Sequence, residues 1–142
     1  MVIATIGYSG WTIEEFIGLL KKKGVETIVD VRNNPFSRKP DFSKNKLKDH
    51  LQRASIDYIH IPELGIPSKD RKDAKTEADV KILFGRYKED LTTKSEALDR
   101  VISLGRKKTI ALLCLEKDHH DCHRGIIAER LEQLGERIIH IQ

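Results

Sequence analysis

The sequence predicts an α/β fold, a single-domain three-layer sandwich with a mostly parallel five-stranded sheet and helices on both faces. Short apolar runs of strand length alternate with longer segments whose apolar residues recur at helical spacing, and this alternation is typical of a parallel sheet. Residues 1–142 have the size of one domain, and their sequence shows no linker or internal repeat. Right-handed crossovers favour the Rossmann-like strand order 3-2-1-4-5.

The first half of the chain contains three predicted strands and two predicted helices. Thr12 can cap the first helix, because Glu15 stands three positions later and completes a capping box. Gly24 is a natural stop for that helix. The predicted strands cover residues 2–6, 25–31 and 58–61, and the second helix covers residues 44–53.

The second half begins with a predicted long loop over residues 62–73. Thr76 can cap a helix over residues 78–87, and a further helix over residues 95–104 stops at Gly105. The remaining predicted elements are a strand over residues 109–115, a helix that opens at residues 122–124 and ends near Gly135, and a strand over residues 137–141.

The composition predicts a soluble cytoplasmic protein with no membrane association. The 34% of charged residues is a content typical of thermophile surfaces. The apolar run at residues 2–6 is too short for a signal peptide, and no run approaches the roughly 20 residues of a membrane span. Two cysteines are too few for a disulfide scaffold.

The net charge of +4 leaves an anionic small molecule or nucleic acid open as a partner, although interleaved charges also suit a solvated surface.

Reactive side chains concentrate between the fourth predicted strand and the last predicted helix. Residues 112–124 hold both cysteines and three of the six histidines. In the predicted order, the carboxyl ends of strands one, two and four meet at one edge, where open α/β sheets bind their ligands. The loops over residues 7–10, 30–37 and 114–124 are therefore expected to form one pocket.

Two of these loops carry candidate anion contacts. Backbone N–H groups around Ser9 can hold an anion at the start of a helix, or the turn can be structural, with Ser9 bonding the backbone. Asp30 and Arg32 point to the same face of their strand and could pair with each other. Arg32 also ends the strand, where its guanidinium can reach a phosphate or carboxylate. Asp30 is then expected to orient Arg32 or to act as a base.

The third loop supplies the remaining catalytic candidates. Cys122 stands at the positive end of the last helix beside His123 and Arg124, which would lower the pKa of its thiol. Arg124 suits a bound oxyanion. Glu116 is the better candidate for moving a proton, since a partly buried carboxylate can be tuned toward neutral pH. The alternative is a helix start with ordinary surface polar residues, and Cys114 fits a buried structural cysteine.

Tyr58 and His60 share a face of the third strand and could line the pocket or pack beneath it. No metal is predicted, and the sequence names no cofactor. Cys114, Cys122 and the neighbouring histidines could supply zinc ligands, but their spacing matches none of the usual zinc patterns. The tyrosine-phosphatase signature needs an Arg six positions after its Cys. It is absent as well, because the residue six positions after Cys114 is His120.

Five short motifs are spread in order over almost the whole chain. They are Thr5-Ile6-Gly7-Tyr8-Ser9, Asp30-Val31-Arg32 with Pro35 and Ser37, Tyr58 through Leu64-Gly65, Leu113-Cys114-Leu115-Glu116, and Cys122-His123-Arg124. Together they resemble the domain of unknown function 488 family. The resemblance implies a compact α/β domain in soluble prokaryotic proteins, and it supplies no activity.

The chain departs from that family pattern at two positions. Tyr8 stands where the family often has His, and Ile66 stands where a second Gly often follows Gly65. Tyr8 could donate a hydrogen bond in place of an imidazole, although a phenol is a poor base at pH 7.

Three functions stay open at this point. The leading hypothesis is an enzyme that acts on an anionic substrate containing phosphate or a nucleotide. Its binding residues would be Ser9, Arg32, Tyr58, His123 and Arg124, and its catalytic residues Glu116, Cys122 and Asp30. The second hypothesis is a non-catalytic module that binds nucleic acid or another anion with the same arginines and the lysines of residues 44–48. The third is a thiol-based redox or sulfur-handling protein, which requires Cys114 and Cys122 to lie close together. Edge strands three and five could also pair between the subunits of a homodimer.

Overall fold

The computed structural model describes residues 2–114 and 123–141. Its strands and helices alternate along the chain, except that three α-helices follow one another between the third and fourth strands. Within these ranges the strands are β1 (Val2–Gly7), β2 (Thr27–Asp30), β3 (Asp57–His60), β4 (Ile110–Cys114) and β5 (Arg137–Ile141). The α-helices of the same ranges are α1 (Ile13–Lys22), α2 (Lys44–Arg53), α3 (Ser68–Asp73), α4 (Glu77–Leu91), α5 (Ser95–Lys107) and α6 (His123–Gln133). Short 3₁₀ helices over Pro40–Phe42 and Pro62–Leu64 precede α2 and α3.

The strands form one parallel sheet in the order β3-β2-β4-β1-β5, which confirms the predicted α/β class and the two edge strands. The predicted order 3-2-1-4-5 is wrong in one respect, because β1 and β4 exchange places. Ala111 of β4 is level with Ile28 on one side and with Ala4 on the other. Both β1 and β4 are mostly apolar and almost fully buried. Either strand therefore suits the centre of the sheet, and residue pattern alone does not distinguish them.

Helices cover both faces of the sheet, and each face has its own core. The core on the α1–α2 side contains Ala4, Ile6, Phe16, Leu20, Ile28, Leu47 and Leu51. The core on the α4–α6 side contains Ile3, Val29, Tyr87, Val101, Leu112, Ile127 and Leu131. Consecutive residues of a strand thus enter opposite cores, as the period-two geometry of a strand requires. This arrangement confirms the three-layer sandwich.

Two helices begin with capping boxes at the N-cap residues that the sequence predicts, Thr12 and Thr76. The Thr12 hydroxyl accepts a hydrogen bond from the Glu15 N–H (3.1 Å), and the Glu15 carboxylate accepts one from the Thr12 N–H (3.0 Å). Thr76 and Asp79 form the equivalent box for α4, which continues beyond the predicted end to Leu91. None of the helices in the described ranges combines the length and the apolar character that crossing a membrane would need.

Residues 62–73 are not the irregular loop that the sequence predicts. Pro62–Leu64 forms a 3₁₀ turn, and α3 occupies Ser68–Asp73. Helix α3 follows Pro67, whose carbonyl accepts a hydrogen bond from the Asp70 N–H (3.0 Å). Its sequence, SKDRKD, contains no apolar residue, so the helix gives no periodic signal that pattern reading could detect.

The loop after β2 and the turn after β3 cross in close contact at Gly65. A Cβ atom on Gly65 would lie 2.1 Å from the backbone N of Asn33 and 2.8 Å from the carbonyl carbon of Arg32. The Asn33 side-chain amide also donates a hydrogen bond to the Pro62 carbonyl (3.3 Å). A side chain at position 65 would push the backbone that carries Arg32 away from this crossing.

Gly65→Ala is therefore expected to lower the free energy of unfolding by roughly 2 kcal/mol or more, because the atoms that must yield are backbone atoms. Gly18→Ala is the matched control, since Gly18 is exposed within α1 and no atom lies within 4 Å of its added Cβ. That change should raise stability by about 0.5–1 kcal/mol. Urea unfolding followed by circular dichroism measures both, and an unchanged Gly65→Ala midpoint would contradict the crossing.

Candidate functional site

Buried polar side chains collect at the carboxyl end of the sheet. The buried polar and charged residues among those described are Thr5, Thr27, Asp30, Arg32, Ser37, His123 and Arg124. All except Thr27 lie in the carboxyl-terminal half of a strand, in the loop after β2, or in the first turn of α6. Because burying such groups costs free energy, their concentration makes this end of the sheet the candidate site.

The fully buried Asp30 carboxylate organises one group of these residues. Its Oδ1 accepts hydrogen bonds from the Arg32 backbone N–H (3.1 Å) and from Arg32 Nε (2.9 Å). Its Oδ2 accepts hydrogen bonds from Arg32 Nη2 (2.7 Å) and from the Tyr58 hydroxyl (2.6 Å). Asp30 and Arg32 thus form a bidentate ion pair to which Tyr58 adds a further donor.

Arg32 also links the sheet to the loop that precedes α2. Its Nη1 donates a hydrogen bond to the Phe42 carbonyl (2.8 Å), and its guanidinium lies 5.3 Å from the centre of the Tyr8 ring. The Tyr8 ring stacks on the Phe42 ring at 4.6 Å. Burial would lower the pKa of Arg32, but hydrogen bonds with Asp30 and the charge of Asp30 outweigh it and raise the pKa. Arg32 is therefore charged at every accessible pH.

Tyr58 and His60 are the half-buried members of this group. Burial, followed by the negative charge of Asp30, raises the pKa of Tyr58, so its hydroxyl keeps the proton that it donates. His60 Nε2 lies 2.7 Å from the Arg32 carbonyl oxygen. Because a carbonyl only accepts, Nε2 carries a proton and Nδ1 is the acceptor of the neutral ring. Asp30, Arg32, Tyr58 and His60 form the Asp30 network.

A second group lies toward the α4–α6 side and centres on the buried His123 ring. Its Nε2 donates a hydrogen bond to the Val31 carbonyl (2.9 Å). Its Nδ1 lies 3.6 Å from Sγ of Cys114, which is disulfide-bonded. The ring packs edge-on against Tyr87 with centroids 5.5 Å apart. Burial lowers the pKa of His123 to about 4, so the imidazole is neutral at pH 7.

Arg124 is fully buried beside the same face of the sheet. Its Nη1 donates a hydrogen bond to the Thr5 hydroxyl (2.6 Å), which in turn contacts Nδ1 of His140. Thr5 shares a face of β1 with Ile3, a member of the α4–α6 core. The Arg124 guanidinium is therefore positioned by β1 from the α4–α6 side.

The predicted binding residues are thus placed on two sides of the sheet end. Arg32 packs with the aromatic rings of the α1–α2 core, and Tyr58 lies with it. Arg124 and His123 lie on the α4–α6 side. Ser9 is half-exposed in the turn after β1, at the same end of the sheet. A single pocket that joins all of them stays a prediction.

The remaining predicted residues fall into two cases. Asp30 and Arg32 pair with each other, which is the alternative that their spacing leaves open. Glu116 and Cys122 lie outside the described residues. Among the residues that the structure does describe, no group of three or more His, Cys, Asp or Glu side chains could hold a metal ion.

Sequence reasoning missed the Thr5–His140 contact. Thr5 is the polar residue within β1, VIATIG, and a hydroxyl at a buried strand position is a signal that could indicate a polar partner. His140 is level with Thr5 only because β1 pairs with β5. The contact between Arg32 and the Phe42 carbonyl has no sequence signal, because it depends on the path of the loop between them.

The described chain is an α/β sandwich with a polar site at the carboxyl end of a parallel sheet. The family described as Domain of unknown function DUF488 matches residues 12–131. Because this match spans most of the chain, the protein belongs to that family, which confirms the resemblance carried by its motifs. No curated protein and no solved structure matches the chain.

Asp30→Asn is expected to lower the free energy of unfolding by about 3–5 kcal/mol, because Arg32 would keep a buried charge without its carboxylate. Asp57→Asn is the matched control, since Asp57 pairs with Lys108 (2.6 Å) on the exposed surface. Loss of this exposed pair should leave the free energy of unfolding almost unchanged. Urea unfolding of both variants measures the difference, and equal costs would contradict the role assigned to burial.

His123 is expected to make stability depend on pH. Its pKa is about 4 in the folded protein and about 6.5 in an unfolded chain. Below pH 6.5 the unfolded chain binds a proton that the folded chain does not, so stability falls as the pH is lowered toward 4. The loss between pH 7 and pH 5 should be about 2 kcal/mol.

His123→Gln tests this origin, because glutamine keeps a side-chain N–H donor and does not titrate. Between pH 7 and pH 5, the free energy of unfolding of the variant should therefore fall by about 2 kcal/mol less than that of wild type. His50→Gln is the control, since His50 is part-exposed beside Asp41. An identical pH dependence in wild type and His123→Gln would show that another group is responsible.

Proposed function

We propose that the protein is an enzyme that acts on an anionic substrate containing phosphate or a nucleotide, bound at the carboxyl end of the sheet. The observation that carries this proposal is the burial of three ionised side chains, Asp30, Arg32 and Arg124, at that end. Each buried charge costs free energy. Groups kept in such an environment are more often functional than groups on a solvated surface.

Tyr58 and His60 are the members of the Asp30 network that a substrate can reach, because both are half-buried. The Tyr58 hydroxyl donates its proton to Asp30, so its oxygen remains available to accept a hydrogen bond from substrate. The His60 ring is anchored through Nε2 to the Arg32 carbonyl. Its Nδ1 is then the acceptor that can take a proton, the role of a general base.

Asp30 acts as a positioning residue in this proposal. Both of its carboxylate oxygens accept hydrogen bonds from Arg32, and one of them also accepts from Tyr58. A carboxylate occupied in this way orients its donors and is poorly placed to remove a proton from substrate. Arg32 balances its charge and holds the loop before α2.

Arg124 adds positive charge for an anionic substrate on the α4–α6 side of the site. Its charge is fully buried, and charges interact more strongly in a buried setting than in water. Ser9, half-exposed in the turn after β1, adds a hydroxyl donor. Glu116 keeps the role that the sequence suggests, as a proton-transfer group, and substitution tests it directly. Cys122 can act as a nucleophile only when it is a free thiol, and Cys114, the other cysteine of the sequence, is disulfide-bonded.

A thermal-shift panel of inorganic phosphate, sulfate and mononucleotides tests binding. A ligand at about a hundred times its Kd should stabilise wild type by about 2.7 kcal/mol. Ser9→Ala and Tyr58→Phe should reduce the shift. Arg106→Gln is the control, because Arg106 lies exposed near the end of α5 and away from the carboxyl end of the sheet.

Turnover is measured with the ligands that bind, by phosphate release and by chromatography of nucleotide products. His60→Ala and Glu116→Gln should each lower the rate by about a hundredfold or more, whereas His50→Ala should leave it unchanged. Binding without turnover would overturn the enzymatic proposal in favour of a non-catalytic anion-binding module. Neither binding nor turnover with any of these ligands would overturn both.

A further inference from the structure

The loop between β2 and α2 presents an aromatic ring to solvent. Phe36 is 72% exposed. The backbone on both sides of it is held, since the Pro35 carbonyl accepts from the Lys44 N–H (2.9 Å) and the Ser37 N–H donates to Ser43 Oγ (3.0 Å). One exposed apolar side chain is ordinary by itself, so its meaning depends on what surrounds it.

Positive charge follows Phe36 along the chain. The exposed basic residues there are Arg38, Lys39, Lys44, Lys46 and Lys48. The nearby acids have other partners, since Asp41 accepts a hydrogen bond from His50 (3.0 Å) and Asp49 pairs with Arg53 (3.1 Å). Within the described ranges, none of the five basic residues forms an ion pair. Residues 36–48, the basic segment, therefore combine an exposed ring with uncompensated positive charge.

A groove of about 480 Å³ separates the basic segment from the turn that begins α1. Arg38 and Lys39 line one side, and Trp11 lines the other. Lys39 bridges the two sides, because its Nζ donates a hydrogen bond to the Trp11 carbonyl. Glu14 and Asp41 also line the groove, so the charges of its lining balance. The excess positive charge of the basic segment lies beyond the groove, on Lys44, Lys46 and Lys48.

We propose that the basic segment binds single-stranded nucleic acid, with an unpaired base on Phe36 and phosphates on Arg38 and Lys44. An exposed aromatic ring beside a positively charged surface that can follow the phosphate backbone is the combination that binds single strands with little sequence preference. A duplex offers phosphates but no free base face, because its bases stack on one another. Charge complementarity and the exposed ring together therefore favour a single strand.

This inference rests on the proposed function and names its substrate class. The basic segment follows the carboxyl end of β2, where the Asp30 network lies. A strand bound on Phe36 and Lys44 would thus reach the candidate site with its phosphodiester backbone. The anionic substrate proposed above is then a single-stranded nucleic acid rather than a free nucleotide.

Fluorescence anisotropy with a labelled oligothymidylate of about ten nucleotides tests the surface. Phe36→Ala should weaken binding by about 5- to 100-fold, because it removes one base–aromatic stack. The double variant Arg38→Gln/Lys44→Gln should reduce the slope of log affinity against log salt by about 1.4, or about 0.7 for each phosphate that is no longer neutralised.

Matched controls separate this surface from general effects. Ile82→Ala removes another exposed apolar side chain, 56% exposed on α4. Arg106→Gln/Lys107→Gln also removes one Arg and one Lys, but near the end of α5. Both controls should bind the oligonucleotide as wild type does.

The outcomes distinguish this inference from the proposed function. Affinity that Phe36→Ala leaves unchanged, or a duplex bound as tightly as a single strand, would overturn the inference. Mononucleotides that stabilise the protein while no oligonucleotide binds would overturn the inference alone and leave the proposed function standing. Oligonucleotide binding that requires Phe36, without any turnover, would support the surface and overturn the enzyme.

Discussion

The buried ion pair between Asp30 and Arg32 determines how the carboxyl end of the sheet is arranged. Asp30 is the last residue of β2, and Arg32 lies where the chain leaves the sheet, so one pair fixes the exit of the strand. Through Arg32 the pair holds the Phe42 carbonyl just before α2, and through Asp30 it holds Tyr58 on β3. Such a pair adds little net stability compared with apolar side chains of the same volume. Its contribution is to hold the half-buried side chains of Tyr58 and His60 in fixed positions.

Much of the fold can be predicted because its signals are local. The capping box of Thr12 and Glu15 and the apolar period of α1 belong to neighbouring residues, and the structure confirms both. The positions of β1 and β4 depend instead on distant parts of the chain, and two strands with the same apolar pattern exchange without any local sign. Helix α3 cannot be predicted from apolar periodicity, because its residues are all polar or charged and form no apolar face.

The candidate site can be predicted where it depends on one strand and not where it depends on several. Asp30 and Arg32 share a face because they are two residues apart, and the structure pairs them. The contact with Tyr58 needs the register that aligns Asp30 with His60 across β2 and β3. The placement of Arg124 depends on Thr5, and therefore on which core the alternate residues of β1 enter. Registers and strand neighbours are set by packing of the whole sheet.

The position of β4 between β2 and β1 also decides when the sheet can form as the chain is synthesised. Of the pairings between the strands that the structure describes, only that of β2 with β3 joins segments made before residue 110. Strand β1 is made before the other described strands, yet both of its neighbours, β4 and β5, lie more than a hundred residues further along the chain. Pairings across such long separations form slowly. Strand β1 therefore lacks its native neighbours until residues 110–141 have been made.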